Sequence, residues 1–405
     1  MQVIRLHVRQ SGKQVLDHQL QVALAASLVH DVGHGMFSHA FEEIGKKLGI
    51  RLAQHEWVSE QLIRDGEIAE QFRELGSGFA QDVADLIGSK GPSNLYGAVV
   101  SSQFDADRLD YMQRDRLMCG VQNSGIDFEW LIANLEVGDV PLVVDDVEVG
   151  AIPTFVLGPK AIHAAETFVL ALFQLYPTIY LHKTTRGAEK LFSEIMLRVI
   201  GLIRDNDVRR TGLPARHAIA RFARDGEKIE NALALDDTVF WGSLDMLSSA
   251  PDSAIANMAR RLKDRKLLKC VDIRRHLTSE DGLGMPPSDK DAFAEYGRKM
   301  DRLSLLIRRK IDRWDQRNSG DEPRVYVDFA DRHPYKGLQE SKGPLNQIRI
   351  RDDHGQIVDI SDHSPLIARF EKFESFRAYV DKNDNTAEIA VHRMVESALK
   401  EESRG

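Results

Sequence analysis

Between Ser27 and Ala40 the chain reads SLVHDVGHGMFSHA, and no other stretch restricts its fold as much. An apolar helix-forming run ends in an adjacent His30–Asp31 pair, after which Gly33 and Gly35 interrupt the helix and His34 and His39 follow. Neighbouring residues on an ideal helix point about 100° apart, so an adjacent pair reaches one point only where the helix stops, and the two glycines supply that stop. Imidazole nitrogen beside carboxylate oxygen suits a divalent first-row cation. Taken alone, the stretch also fits a capped helix with surface histidines.

A second stretch, Ser101 to Val121, reads SSQFDADRLDYMQRDRLMCGV. Asp107, Tyr111 and Asp115 stand at i, i+4 and i+8, which puts them on one helical face spanning about 12 Å, while Leu109, Met112 and Leu117 are available for the buried side. A carboxylate, a phenol and a second carboxylate in line make a poor packing stripe and a good ligand wall. The competing description is a solvated face salt-bridged through Arg108, Arg114 and Arg116.

Together, HDVGHGMFSHAFE and FDADRLDYMQRD followed by GV resemble the HD-domain superfamily of metal-dependent phosphohydrolases. More narrowly they are similar to the deoxynucleoside triphosphate triphosphohydrolases, which include bacterial dGTPases and the animal enzyme that joins a SAM domain to an HD domain. QHE at Gln54 to Glu56, YLHK at Tyr180 to Lys183 and the late VYVDF element fall in matching order. The resemblance implies a mainly α fold: an all-helical HD core with a small β-hairpin insertion, and a C-terminal α+β lobe.

Residue by residue, it implies that His30, Asp31 and Asp107 bind a divalent metal ion (Mg, Mn, Fe, Co or Zn). His34 would lie beside the substrate phosphates, and Glu42 would orient His55 so that this histidine protonates the leaving oxygen. Tyr111 and Asp115 would meet the deoxyribose, Lys183 with Tyr180 and His182 nearby would approach the phosphate chain, and His39 and Arg108 complete the substrate-binding set. The implied reaction releases deoxynucleoside and triphosphate from a dNTP, in a homo-oligomer. A histidine needs little tuning for proton transfer near neutrality, since its ordinary pKa is about 6.5.

Departures from the family pattern keep other readings open. Family members carry a further metal-binding histidine in an HSLGV-like segment upstream of the His-Asp pair, and no such segment stands between Met1 and His30. His18, twelve residues before His30 on one helix, would be roughly 18 Å away and cannot share the ion. His7 has no HSLGV-like surroundings. The helix TFVLALFQLYPTIY lacks the Arg and His of the animal enzyme and carries Pro177, which predicts a kink; the hairpin has Asp145, Asp146 and Val147 where that enzyme has basic effector-binding residues. Alternatives are therefore an HD phosphohydrolase for another nucleotide, and a non-catalytic nucleotide-binding or assembly subunit.

At 405 residues the chain exceeds what one core supports, which predicts a catalytic core over residues 1–240 and a second lobe over 241–405. Formal charge is −8, which disfavours nucleic acid as the main partner. Two cysteines make neither a disulfide framework nor a thiolate zinc site, and without a long apolar run or signal-like N-terminus the expectation is a cytoplasmic protein without membrane contact.

Periodicity predicts helices over Leu16–Val29, Ser38–Leu48, Glu56–Ile63 and Phe79–Ile87, then a hairpin over about 135–152. Helices run from Pro159 to about Arg204 and, after a polar connector, through Arg261. The basic run Lys263 to Arg275 reads as a solvated face, and GSKGPSN (Gly88 to Asn94) as a turn rather than a phosphate loop. From Arg324 a β-type lobe is expected, with a turn at His354-Gly355, a helix over Pro365–Phe373 and a final helix over Thr386–Leu399.

Overall fold

The computed structural model describes residues 3–4, 16–89, 91–144, 147–225, 228–287, 289–337 and 344–403; His7, Asp145 and Asp146 fall outside them. The N-terminal part is helical: α1 (Asp17–Val29), α2 (His39–Leu48), α3 (His55–Arg64), α4 (Phe79–Ile87), α5 (Leu95–Val100) and α6 (Ala106–Met118). A hairpin of β1 (Leu135–Val144) and β2 (Val147–Leu157) interrupts the helices before α7 (Ile162–Leu175), which runs into a π-turn at Tyr176–Tyr180. Next come α8 (Lys183–Arg204), α9 (Asp237–Ser248), α10 (Ser253–Lys263), β3 (Lys269–Asp272) and the 29-residue α11 (Lys290–Asn318). The chain ends with β4 (Val325–Arg332), β5 (Arg349–Arg351), β6 (Ile357–Asp359), β7 (Phe373–Val380) and α12 (Asn385–Glu402).

These elements form two compact units, residues 1–180 with 333–373 and residues 181–332 with 374–405. A single cut near residue 240 follows composition along the chain, whereas the contacts change sides at the π-turn and the first unit takes back a later segment. In that unit Val22 and Ala26 of α1, Ile63 of α3, Phe79 and Val83 of α4 and Val100 of α5 make one buried cluster. Val22 and Ala26, like Phe79 and Val83, stand four residues apart on one helical face, and each large aliphatic or aromatic side chain buried this way contributes about 1.5–3 kcal/mol.

A four-stranded sheet, in the order β1-β2-β5-β6, lies in the same unit. β1 and β2 pair antiparallel from Leu135 opposite Leu157, β5 joins β2 in parallel at Val156–Arg349 and Leu157–Ile350, and β6 returns antiparallel through a turn at Gly355, whose φ is +80°. Ile4, Leu20 and Leu95 are packed by Val137 and Phe155, which joins the helices to this sheet.

The second unit holds the sheet β3-β7-β4. Met300, Leu303, Ile307 and Ile311 line the inner face of α11 against Val391 and Val395 of α12 and Phe376, Ala378 and Val380 of β7. The strands expected as one C-terminal lobe are thus divided between two sheets. The helix expected over Pro365–Phe373 is also replaced: a single 3-10 turn, Ile367–Arg369, is capped by Ser364 Oγ on the Ile367 N–H at 3.2 Å, and Phe370 is already extended. Burial of the run from Ser375 to Val380 in the sheet core outweighs the short helical pattern. The basic run before β3 is a paired surface, with Lys263 on Asp245, Lys266 on Asp264 and Lys269 on Glu388. Among the described residues no single helix is long and apolar enough to cross a membrane.

Candidate active site

His30 caps α1, its N–H closing the last turn on the Ala26 carbonyl at 3.0 Å, and tight turns then carry the chain past Asp31 to His34. Nδ1 of His30 lies 3.2 Å from the Ser27 carbonyl. A carbonyl there fixes Nδ1 as the protonated nitrogen and leaves the Nε2 lone pair facing outward. Nε2 stands 3.4 Å from Asp31 Oδ1 and 3.8 Å from Asp107 Oδ2.

Asp107 is brought there by the first turn of α6, whose cap Asp105 accepts the Arg108 N–H at 2.8 Å and the Ser102 N–H at 3.2 Å. Sequence reasoning passed over Asp105, although an aspartate two residues before a helical Asp107 is a capping signal. The ligand atoms of His30, Asp31 and Asp107 all lie within 4.8 Å of one another. Atoms bound at about 2.1 Å to one ion stand about 3–4 Å apart, so the donor set fits a single divalent cation. Pairing with His30 holds the Asp107 carboxyl below its usual range against the opposing effect of burial, and Asp107, with Asp31, raises the His30 imidazole.

Beside it is a second cluster. His55 opens α3, Glu42 lies nearly buried on α2, and His55 Nδ1 hydrogen-bonds Glu42 Oε1. The His34 and His55 rings stack with centroids 3.9 Å apart, and His39, with a side chain 70% exposed, meets both rings edge-on. Phe37 and Ser38 adopt φ of +52° and +48°, a strained passage that turns the chain from His34 into α2. Nδ1 of His34 is buried without a hydrogen bond, 3.6 Å from Glu42 Oε1. Burial, followed by the neighbouring His55, lowers the His34 pKa; Glu42 is lowered despite burial, by the His55 hydrogen bond and the surrounding histidines. Asp31 Oδ1 connects the clusters, 3.7 Å from His34 Nε2 and 3.9 Å from His55 Nε2.

Further along α6, Leu109 and Met112 face the core, whereas Leu117 is 78% exposed because the helix end has left the packed layer. Tyr180, at the end of the π-turn, donates to Asp115 Oδ2 at 2.9 Å and meets Tyr111 edge to face at 6.0 Å. A π-turn adds a residue to one turn, a device common at functional sites, and here Pro177 lies inside it. Burial and Asp115 push the Tyr180 phenol far above its usual range. Arg108 donates to the Ser102 carbonyl and lies 3.9 Å from Asp105. Tyr176, unremarked in the sequence, donates to the His333 carbonyl at 3.0 Å. Lys183 is exposed at the start of α8 in the second unit, behind the cap His182. His18 pairs with Asp82 at 2.7 Å, outside both clusters.

The HD domain model matches residues 2–113, which contain every residue of both clusters, and the HD associated region matches residues 126–212. Residues 2–113 are thus an HD domain. The HD chain is 25% identical over 360 residues to the uncharacterized protein YwfO of Bacillus subtilis, spanning 87% of this chain and 71% of that one. It is 25% identical over 197 residues to the deoxynucleoside triphosphate triphosphohydrolase SAMHD1 homolog of Dictyostelium discoideum, spanning 47% of this chain and 36% of the relative. Among solved structures, a phosphohydrolase from Bacteroides thetaiotaomicron superposes with a TM-score of 0.64 at 23% identity, covering 93% of this HD chain and 83% of its own. A hypothetical protein from Aquifex aeolicus gives 0.60 at 22%, covering 94% and 79%. Both show the same fold.

Proposed function

We propose that this HD-domain protein hydrolyses deoxynucleoside triphosphates to deoxynucleoside and triphosphate. The observation that carries the reading is the convergence of His30, Asp31 and Asp107 beside the Glu42–His55 pair. His30, Asp31 and Asp107 would hold a divalent cation, which when bound would supply charge neutralisation at phosphorus and help activate the attacking water. In the reaction, the oxygen of water bonds to the α-phosphorus, the bond from phosphorus to the 5′ oxygen breaks, and that oxygen takes the proton from His55. The proton lost by water restores His55 over the cycle. Glu42 fixes the His55 tautomer and orients its ring.

His34 and His39 face the phosphates, with Arg108 at the base of α6. Tyr111 and Asp115 select the sugar: the ring closes the space of a 2′-hydroxyl and the carboxylate, oriented by Tyr180, accepts from the 3′-hydroxyl. The similarity to the Dictyostelium protein supports the same substrate class. The test is metal analysis of the purified protein, followed by chromatography of products from a panel of dNTPs and NTPs. The expected result is a preference for dNTPs of about tenfold or more, the scale of a single-group discrimination, reduced by Tyr111→Ala with bound metal retained. Equal hydrolysis of ribo- and deoxyribonucleotides would overturn the deoxynucleotide assignment.

A further inference from the structure

Gly33 meets the first turn of α3 with no side chain between the two backbones. A β-carbon placed on Gly33 would stand 2.4 Å from the His55 carbonyl oxygen, 2.4 Å from the Ser59 nitrogen and 2.8 Å from Ser59 Oγ. The Gly33 N–H donates to Ser59 Oγ at 2.9 Å, and Ser59 is fully buried. Gly33 lies between Asp31 and His34, while Ser59 follows His55 by one helical turn. The loop that carries Asp31 and the helix that carries His55 therefore lie in close approach, joined by one hydrogen bond from the Gly33 backbone to the Ser59 side chain, a turn away from His55.

We infer that Gly33 and Ser59 form a positioning latch that sets the reach of His55 to the scissile phosphate relative to the cation. The inference rests on the reading of His55 as proton donor. The His55 Nε2 to Asp31 Oδ1 separation is 3.9 Å, and ordinary contact for a β-carbon on Gly33 would demand about 1 Å more room. A misplacement of about 1 Å costs on the order of 10²-fold in rate when it separates reacting groups. Ser59 belongs to neither cluster of metal-ligating side chains.

The experiment compares two substrates that differ in their need for a proton. One is the nucleotide hydrolysed fastest by the unmodified protein, whose 5′ alkoxide must be protonated as it leaves; the other is bis(p-nitrophenyl) phosphate, whose p-nitrophenolate departs without one. Turnover, bound metal and melting temperature are measured for the unmodified protein, His55→Ala, Ser59→Ala and Gly33→Ala. Ser59→Ala and Gly33→Ala are expected to lose about 10- to 100-fold in kcat on the nucleotide, with far smaller losses on the diester and bound metal retained. His55→Ala should show the same selectivity to a greater degree. Ser59→Ala removes atoms without adding any, so it carries the test if Gly33→Ala does not fold.

Equal losses on both substrates in Ser59→Ala, or none on the nucleotide, would overturn the latch while a selective His55→Ala left the proton-donor reading standing. Equal losses in His55→Ala, or no nucleotide hydrolysis by the unmodified protein, would overturn both.

Discussion

The first unit's His30, Asp31 and Asp107 and the second unit's Arg186, Lys190 and Asp328 are built from similar charged groups with opposite outcomes. Asp328 has no exposed side-chain surface, and its two oxygens are closed by Arg186 at 2.6 and 3.0 Å and by Lys190 at 3.0 Å. Asp252 is treated alike, held by Arg198 at 2.6 and 2.7 Å and by Arg210 at 2.6 Å. In the first unit the corresponding separations are 3.4 and 3.8 Å, and the Asp31 side chain is 49% exposed. Bidentate closure engages both oxygens of a carboxylate, whereas the groups of the open cluster stand just short of hydrogen-bond contact. The closed and the open clusters differ by about 1 Å in the separation of their charged groups.

That contrast breaks most completely at Asp107. Asp107→Ala should abolish nucleotide hydrolysis, release the cation and lower the melting temperature of the metal-loaded protein, because the stabilisation by a cation that binds only the folded site is lost along with the His30 pairing. Elemental analysis and thermal unfolding check this, and a variant that kept its cation would show that the open cluster is not the binding set.

The next largest effect is at Asp328. Asp328→Asn should leave activity chemistry untouched in kind but cost about 3–5 kcal/mol of stability, since Arg186 and Lys190 lose a buried partner. Urea unfolding reads it, as a lower midpoint for the transition of one unit. Burial alone would raise the Asp328 carboxyl, but its hydrogen bond from Arg186 and the nearby charges of Lys190 and Arg186 take it below the usual range. Its contribution is therefore complete above the unfolded pKa of about 3.9 and fades as pH falls through the lower folded value. A loss of only a few tenths of a kcal/mol in Asp328→Asn would equate the closed pair with an exposed one.

The smallest effect sharpens the comparison from the other side. His18 and Asp82 are each about half exposed, with side-chain accessibilities of 51% and 52%. His18→Ala should cost under about 1 kcal/mol and leave bound metal unchanged, as measured by the same unfolding and elemental assays. Loss of the cation would make His18 a ligand after all.

Helical geometry alone grouped His30 with Asp31 at a helix end and Asp107, Tyr111 and Asp115 along one face. That the two stretches would meet at one site came from the resemblance to the HD family, not from spacing. Less could be read where long-range pairing decides. β5 joins β2 across almost two hundred residues of sequence, a match of Val156 with Arg349 that no local pattern encodes. Ser59 carries no motif, and its meaning comes from Gly33 26 residues earlier. The final residues of α6 misled because Leu117 continues the apolar spacing past the point where anything packs on it.

The parallel seam between β2 and β5 also sets an order of events during synthesis. β2 is complete at Leu157, while its neighbour begins at Arg349. At about 5–20 residues per second the ribosome needs roughly 10–40 seconds to deliver the missing strand. Throughout that interval the growing chain presents an unpaired β edge, the kind of edge on which a neighbouring nascent chain can pair. All residues of the two histidine clusters, by contrast, have left the ribosome before the hairpin is made. The two clusters can assemble early, but the sheet must wait for a segment encoded after most of the second unit, so production of this protein should depend on translation speed and on whatever shields that edge.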